Sequence, residues 1–307
     1  MVKLSPTVAS SNFYESVTGR DATHVWLGNN YGQIIFTDGA ATWRVVDHTF
    51  SGSSINALYA AEDGRVFASS GGIPYVCASG CDSPGHFPSQ RIPTADEFTM
   101  GLCGSAGDVY AVGTLTMGAL PRHALVLKLN GSQWVRLFET AEMHSFFACD
   151  VGTDGTLWLV GQNGVGRYAS STGFVKEKVE GIRGPGSPFF SALGAVGATR
   201  YIAGEEKQLA ERGADGVWRI VFQPEDPRDL FHPRFVTTKS SELWWAGYFD
   251  AVNFVRGTPS GWTVYAEPRQ VSFLSMYEPD ATTLFLVGAQ ASVGGDFQES
   301  VVYKLTR

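Results

Sequence analysis

The sequence lacks several features that would assign it to a class at once. No apolar run reaches about 18 residues, so it contains no candidate transmembrane helix. Charged residues make up only 17% of the 307 residues, and lysine and arginine form no cluster that would neutralise nucleic-acid phosphates. The formal net charge of −7 also argues against a nucleic-acid partner. These absences predict a soluble globular protein with no membrane span and no nucleic-acid ligand.

Signals of export and of disulfide pairing are also scarce. Residues 1–8 contain no apolar segment followed by a small-residue cleavage site, so they do not form a signal peptide. The sequence as written is therefore read as cytoplasmic, or as extracytoplasmic if a signal peptide has been removed. The four cysteines are Cys77, Cys81, Cys103 and Cys149. A tight turn can close Cys77 and Cys81 into a disulfide, but four unrelated thiols fit equally well, and the state of Cys103 and Cys149 stays open.

The sequence carries no strong catalytic signature. It contains no G-x-S-x-G, no H-E-x-x-H, no P-loop and no Rossmann glycine pattern in the right setting. Two cysteines without histidines at metal spacing are a weak zinc signal. No cofactor is predicted from these patterns.

The sequence does contain many glycines and aromatic residues, and they recur with a period. Glycine occurs 36 times and aromatic residues make up 13% of the chain. A short strand with a bulky residue and then a glycine repeats seven times. Successive glycines lie 43, 42, 48, 43, 43 and 41 residues apart, at Gly28, Gly71, Gly113, Gly161, Gly204, Gly247 and Gly288. Self-similarity at this period is typical of stacked or ring-shaped repeat folds.

Each repeat contains the signals of four strands. An apolar segment precedes the glycine strand by about ten residues, and turns such as Asp63-Gly64 and Asp154-Gly155 join the two. Seven such units predict an all-β, seven-bladed β-propeller of four-stranded antiparallel blades with almost no helix. One domain then spans residues 1–307. The predicted blades cover about residues 12–47, 54–93, 98–138, 145–179, 187–222, 233–267 and 271–307 plus 2–8.

The two ends of the sequence indicate how the ring closes. The segment 301–305 matches a third strand, and the sequence ends two residues later, so the seventh blade lacks an outer strand. Residues near 2–8 are therefore predicted to complete the last blade. A disordered leader is the alternative for these residues.

Two segments resemble the repeats of known propellers. Val151-Gly-Thr-Asp-Gly-Thr-Leu-Trp-Leu-Val-Gly161 resembles the blades of two-component-regulator-type sensor propellers, which repeat an Asp-Gly-x-x-Trp hairpin. Thr37-Asp38-Gly-Ala-Ala-Thr42-Trp43 resembles one Asp-box of sialidase-type and photosystem-assembly propellers. The resemblance implies that Asp38 binds backbone N–H groups of its turn and that Trp43 packs between strands. It implies an architecture and no activity, because Phe36 replaces the usual leading serine and no arginine triad is recognisable.

The predicted functional site is the mouth of the central channel, where the loops that join blades meet the loops between second and third strands. His144 and His232 each stand just before an innermost strand and are the candidate catalytic residues. A divalent metal held by axial histidines is one hypothesis, and histidines scattered over surface loops are the other. The candidate ligand-binding residues in these loops are His48, Arg122, His123, Arg183, Arg228, Trp245 and Tyr248.

Counting back from the glycine strands predicts which residues face the axis. The count gives Glu15, Ala57, Met100, Ala148, Ser191, Arg234 and Ser275. Glu15 and Arg234 are the charged exceptions, and a carboxylate–guanidinium pair is expected either to seal the channel or to grip a polar ligand. A register slip of one residue would remove this pair.

The sequence favours a binding module that holds a peptide, protein loop or glycan at the axial mouth. The alternative is a lyase or hydrolase that uses mouth histidines and arginines, with or without a metal. A third alternative is an interaction scaffold without a small-molecule site.

Overall fold

The computed structural model describes most of the chain. The described residues are 2–4, 13–39, 43–48, 50, 53–85, 87–90, 92, 94–105, 107–116, 122–182, 188–204, 208–222, 232–237, 242–248, 254–258, 260–265, 271–291 and 297–306. Only the backbone is described for 232–237, 245–248, 254–255, 264–265, 291 and 297–298.

These residues form 28 strands and no helix. The first fourteen strands are β1 Val2–Leu4, β2 Tyr14–Asp21, β3 His24–Asn29, β4 Ile34–Thr37, β5 Trp43–Asp47, β6 Ile55–Ala60, β7 Val66–Ser70, β8 Ile73–Cys77, β9 Glu97–Ser105, β10 Asp108–Leu115, β11 His123–Asn130, β12 Gln133–Thr140, β13 Ser145–Val151 and β14 Leu157–Gln162. The others are β15 Gly164–Ala169, β16 Gly173–Glu177, β17 Val179–Glu180, β18 Phe190–Val196, β19 Thr199–Gly204, β20 Leu209–Arg212, β21 Trp218–Phe222, β22 His232–Thr237, β23 Leu243–Tyr248, β24 Phe254–Thr258, β25 Gly261–Tyr265, β26 Val271–Asp280, β27 Thr283–Ala291 and β28 Phe297–Thr306. Within the described part of the chain, no helix is long and apolar enough to cross a membrane.

The strands form seven sheets that follow one another round a ring. Blades 1 to 7 are β2–β5, β6–β8, β9–β12, β13–β16, β18–β21 with β17, β22–β25, and β26–β28 with β1. The first strand of each blade is its inner strand. Each inner strand contacts the inner strand of the next blade, and β26 contacts β2. The seven-bladed propeller predicted from the repeat is confirmed.

The amino-terminal strand lies in the last blade. Strand β1 pairs antiparallel with β28, with Val2 opposite Lys304 and Leu4 opposite Val302. It therefore occupies the outer position of blade 7, where the sequence predicts a strand from residues near 2–8. Trp43, predicted to pack between strands, packs with Leu4 against the apolar cluster that joins blades 7 and 1.

Blade 2 departs from the predicted four strands. Its sheet has three strands, β6–β8, among the described residues. A segment closed by the Cys77–Cys81 disulfide follows β8, and it returns only as a single bridge between Tyr75 and Ser89. Pro88 lies in this segment, and proline has no N–H to donate to a β-ladder. Among the described residues, blade 2 therefore has three strands where the sequence predicts four.

Aromatic residues of the second strands fill the seams between blades. In blade 4, Trp158 is buried, and the guanidinium carbons of Arg200 and Arg212 lie 4.7 and 4.9 Å from its ring centroid. Glu177 accepts hydrogen bonds from Arg212 Nη2 at 2.7 Å and from Trp218 Nε1 at 2.8 Å. This seam joins blades 4 and 5 by packing, cation–π contacts and a buried ion pair.

A β-bulge recurs at one position of every inner strand. The register shifts between Tyr14 and Ser16 in blade 1, and a matching shift occurs in each of the other six blades. In blades 3 to 7 the glycine of the second strand lies opposite the residue that precedes the bulge. Four of these glycines, in blades 3, 4, 5 and 7, lie very close to the inner strand. A Cβ atom on these glycines would overlap an inner-strand carbonyl oxygen, as at Gly113, Gly161, Gly204 and Gly288. This close approach explains the glycine period, because only glycine fits there.

Candidate functional site: the mouth of the central channel

The centre of the ring encloses a cavity of about 570 Å³. It is lined by residues from the inner strands of blades 1, 2, 3, 4, 5 and 7, or immediately before them. The side chains of β22 in blade 6 are outside the described part. Ligand pockets in proteins commonly have volumes of about 300–1,000 Å³. The axial cavity is therefore large enough to take one or a few side chains of a ligand.

The bulged residues form a ring that we call the bulge ring. One residue comes from each blade, in the order Glu15, Asn56, Met100, Phe147, Ser191, Arg234 and Leu274. A bulge re-aims the side chain of the extra residue. Asn56, Met100, Phe147 and Ser191 line the cavity, so four members of the ring face the axis.

One side of the cavity is apolar and aromatic. Four half-buried residues of blades 3 to 5 form it, and we call them the apolar arc: Phe98, Met100, Phe147 and Phe189. The rings of Phe147 and Phe189 lie 4.5 Å apart between centroids, which joins blades 4 and 5 at the mouth. Half-buried phenyl rings that share one wall of a cavity form a grouped apolar surface, and such surfaces often mark ligand-binding grooves.

The opposite side of the cavity is sealed by hydroxyl groups. The Ser275 hydroxyl of blade 7 accepts a hydrogen bond from Val17 N at 3.0 Å, and Ser16 Oγ donates to Ile55 O at 2.8 Å. Thr18 Oγ1 accepts from Ala60 N at 3.1 Å. These bonds join the inner strands of blades 7, 1 and 2 directly. Ser16 and Ser275 are therefore occupied in holding the ring together.

A disulfide joins the inner strands on the apolar side. Cys103 of β9 and Cys149 of β13 are bonded, with Cα atoms 5.7 Å apart, and Cys149 lines the cavity. The second disulfide, Cys77–Cys81, lies in the segment after β8, and Trp26 Nε1 donates to Cys81 O at 2.7 Å. Both pairings that the sequence left open are thus present as disulfides.

The rim of blade 3 carries a charged network. The Glu97 side chain is fully buried, and its Oε1 atom accepts from Arg136 Nε at 2.9 Å and Nη2 at 2.7 Å. Arg136 Nη1 also donates to Glu139 Oε2 at 2.7 Å, and His123 Nδ1 lies 3.6 Å from Glu139 Oε1. This network neutralises the buried carboxylate and gives His123 a carboxylate neighbour.

The backbones of two candidate histidines are linked through one hydroxyl group at the seam of blades 3 and 4. Thr114 Oγ1 lies 3.3 Å from His123 O and 3.1 Å from His144 O. Both histidines are half-buried, and neither lines the axial cavity. Arg122, which precedes His123, is exposed, and His48 is exposed after the outer strand of blade 1.

Several other candidates cannot be placed as side chains. Arg183 and Arg228 lie outside the described residues, and only the backbone is described for His232, Arg234, Trp245 and Tyr248. Glu15 is half-buried on β2, and Arg234 occupies the matching bulge of blade 6. The proposed contact between Glu15 and Arg234 thus stays a prediction.

Five of the seven residues predicted to face the axis line the cavity, namely Ala57, Met100, Ala148, Ser191 and Ser275. Glu15, Met100, Ser191 and Arg234 are at the bulge, as the count from the glycines gives. Blades 2, 4 and 7 instead place Asn56, Phe147 and Leu274 there. Ala57, Ala148 and Ser275 still line the cavity, because they follow the bulge directly.

The sequence reasoning predicted Met100 of the apolar arc to face the axis, but it missed the three phenylalanines. Consecutive phenylalanines begin two inner strands, and in each pair one ring is buried in a seam while the other faces the cavity. Phe146 and Phe190 are buried, whereas Phe147 and Phe189 line the cavity. A pair of aromatics at the start of an inner strand was therefore the available signal, since alternate strand residues face opposite sides.

Aspartates whose pKa values are lowered lie in hairpin turns at the other end of the channel. Partial burial raises the pKa of Asp21, but hydrogen bonds from Thr23 and His24 outweigh it and lower the pKa to about 2. The backbone N–H of Thr156 lowers the pKa of Asp154 in the same way. Both carboxylates stabilise hairpin turns, and the turn of Asp154 is one that the sequence predicts. In the described part, no group of three or more His, Cys, Asp or Glu side chains is arranged to hold a metal ion.

The fold was compared with known proteins. No protein-family model matches the chain, and no curated protein matches its sequence. A catalytically inactive virginiamycin B lyase from Staphylococcus aureus with quinupristin is similar in structure, with a TM-score of 0.78, 15% identity, and coverage of 100% of this chain and 98% of that chain. YCF48 bound to D1 peptide has a TM-score of 0.70 and 14% identity, covering 100% and 94%.

The WD40 repeats of RRP9 are also similar, with a TM-score of 0.73, 10% identity and complete coverage of both chains. At these low sequence identities, the structural similarity shows the seven-bladed propeller fold alone. The neighbours include an enzyme as well as binding and scaffold proteins.

Proposed function

We propose that the protein is a binding module that receives a peptide or protein loop at the mouth of its central channel. The observation that carries this proposal is the axial cavity of about 570 Å³ with the apolar arc on its wall. Apolar surface that water covers in the free protein gains free energy when a ligand covers it, at about 25 cal/mol per Å². A ligand that enters the mouth therefore gains affinity from the arc.

The chemistry of the wall favours a peptide over a glycan. Sugars need many hydrogen-bonding partners, whereas Ser16 and Ser275 already serve the inter-blade bonds. A peptide can insert an apolar side chain and satisfy its backbone at the rim. Two structural neighbours support this preference, since one was solved with D1 peptide and another with quinupristin. Binding on a glycan array would instead favour the lectin alternative.

A peptide library tests the proposal directly. The full-length protein is immobilised and screened with an acetylated, amidated positional-scanning hexapeptide library. Ser191 lines the cavity, and the exposed Ser171 lies in the outer turn of blade 4. Ser191→Trp fills the channel and should abolish binding, whereas the matched Ser171→Trp variant should bind as the wild type does. No enrichment on the wild-type protein, or equal binding by Ser191→Trp, would refute the proposal.

A second candidate function is a lyase or hydrolase at the same mouth. The observation that favours it is the carboxylate of Glu139 beside His123, in a segment whose backbone is linked to that of His144 through Thr114. A histidine beside a carboxylate is a common arrangement for a general base. Metal analysis of the purified protein and turnover assays on His144→Ala and His232→Ala test this function. Absence of bound metal, with no variant-sensitive turnover, would count against it.

A further inference from the structure

The wall of the channel is divided into two chemically different sides. Around blades 7, 1 and 2, small hydroxyl side chains link neighbouring inner strands. Around blades 3 to 5, the strands are held by the Cys103–Cys149 disulfide and by phenyl packing. On the hydroxyl side, the serine and threonine hydroxyls already make hydrogen bonds between blades. A ligand therefore gains most binding free energy on the apolar side.

The apolar arc has the composition of an aromatic binding site. Three phenyl rings and one thioether meet at one sector of the cavity, and the pair Phe147 and Phe189 is separated by 4.5 Å. Aromatic rings gain from edge-to-face or offset contacts at centroid separations of about 4.5–7 Å. The sulfur of Met100 offers a further favourable contact to a ring edge. An aromatic group therefore gains more here than an aliphatic group of equal area.

The described part of the cavity wall offers no partner to a charged ligand group. Among the described lining residues there is no Asp, Glu, Lys, Arg or His. A charge brought into this sector would lose its water without gaining a partner. Asn56, an exposed member of the bulge ring, lines the same cavity. Its amide can donate to and accept from the backbone amides of a neutral peptide.

Building on the proposed function, we infer that the apolar arc is a subsite for an aromatic side chain of a neutral peptide segment. The phenyl or indole group packs against Phe147 and Phe189 and reaches Met100. The flanking peptide amides lie towards Asn56 and the rim. The sector of blades 3 to 5 then determines which side chain the protein selects.

Methionine methyl groups report on this subsite. The protein with ¹³C-methyl methionine is titrated with N-acetyl-L-phenylalanine methylamide, and N-acetyl-L-alanine methylamide is the matched probe. The phenylalanine compound should shift the Met100 resonance through its ring current, and the alanine compound should not. Met143 is fully buried and does not line the cavity, so its resonance is the internal control. A Met100→Leu variant assigns the signal.

Variants of Phe147 separate aromatic contact from simple bulk. Phe147→Leu keeps the volume of an apolar side chain and should weaken the phenylalanine probe at least threefold, while Phe147→Ala should weaken it at least tenfold. Val135, exposed on the outer strand of blade 3, supplies the control Val135→Ala, which should bind as the wild type does. A Met100 resonance that ignores the phenylalanine compound, or responds equally to the alanine compound, overturns the inference. If library peptides still bind in that case, the proposed function stands and only the aromatic subsite is wrong.

Discussion

Gly161 lies directly against the carbonyl oxygen of Ser145, so closely that a Cβ atom at Gly161 would overlap that oxygen. The contact arises where the inner strand of blade 4 bulges at Phe147. The same relationship holds between Gly288 and Ser272 O in blade 7. The bulge shapes the channel and the glycine marks the repeat. The two features occur together because the bulged inner strand contacts the second strand at this glycine.

This contact predicts a position-specific cost of replacing glycine. Gly161→Ala should lower the free energy of unfolding by about 3 kcal/mol, because either the strands must separate or the bulge must move. Gly261 provides the control, since a Cβ there meets no atom within 4 Å. Gly261→Ala should change stability by less than about 0.5 kcal/mol in urea unfolding. Equal effects of the two substitutions would contradict the account of the repeat.

The two disulfides should contribute unequally to stability. Cys103–Cys149 closes a loop with a sequence separation of 46, and Cys77–Cys81 one of 4. The chain-entropy model gives about 4 kcal/mol for the first loop and about 2 kcal/mol for the second. The double-serine variants of each pair, measured by urea unfolding, should follow this order. Free thiols detected in the unfolded, unreduced wild-type protein would show that the pairs are not formed.

Replacement of two arginines of blade 5 should lower the free energy of unfolding by unequal amounts. Arg212 is one-quarter exposed and donates twice to the buried Glu177, so Arg212→Gln should cost about 2 kcal/mol. Arg219 is half exposed and pairs with the equally exposed Asp215. Arg219→Gln should therefore cost less than about 0.5 kcal/mol. Similar losses in urea unfolding would show that Glu177 does not depend on Arg212.

Removal of the amino-terminal strand should weaken the ring. Strand β1 covers the outer edge of β28, and Leu4 packs into the seam between blades 7 and 1. Deletion of residues 1–9 should lower the melting temperature by at least about 4 °C, given roughly 2 °C per kcal/mol for a chain of this size. Val2 is 63% exposed, so Val2→Thr should leave the melting temperature unchanged. An unaltered melting temperature in the deletion variant would exclude a closing role for β1.

The fold was predictable because its repeat has a local physical cause. Glycine at the bulge contact and Asp at the hairpin turns serve the same local role in several blades, so they recur in the sequence. Blade 2 does not follow this pattern, because a segment with Pro88 and the Cys77–Cys81 disulfide stands where the other blades have a fourth strand. The periodic pattern of the sequence does not predict such a replacement.

The site was predictable only in its location. The mouth of the channel follows from the fold, but its lining depends on a register in which a single residue matters. Ala148 lines the cavity as predicted, but the bulge adds Phe147 beside it, so the wall of blade 4 is also aromatic. The loop histidines were predicted as site residues because of their residue type. The phenylalanines, in contrast, have the sequence pattern of ordinary core residues.

The most direct test of the central claim is the affinity of a library-selected hexapeptide for two variants, measured by isothermal titration calorimetry. Phe147→Ala removes one ring of the apolar arc, and Val135→Ala removes a similar apolar group from the outer strand of blade 3. Binding at the axial mouth predicts at least a tenfold loss for Phe147→Ala and no change for Val135→Ala. Equal affinities of the two variants would contradict a ligand site on this wall of the channel.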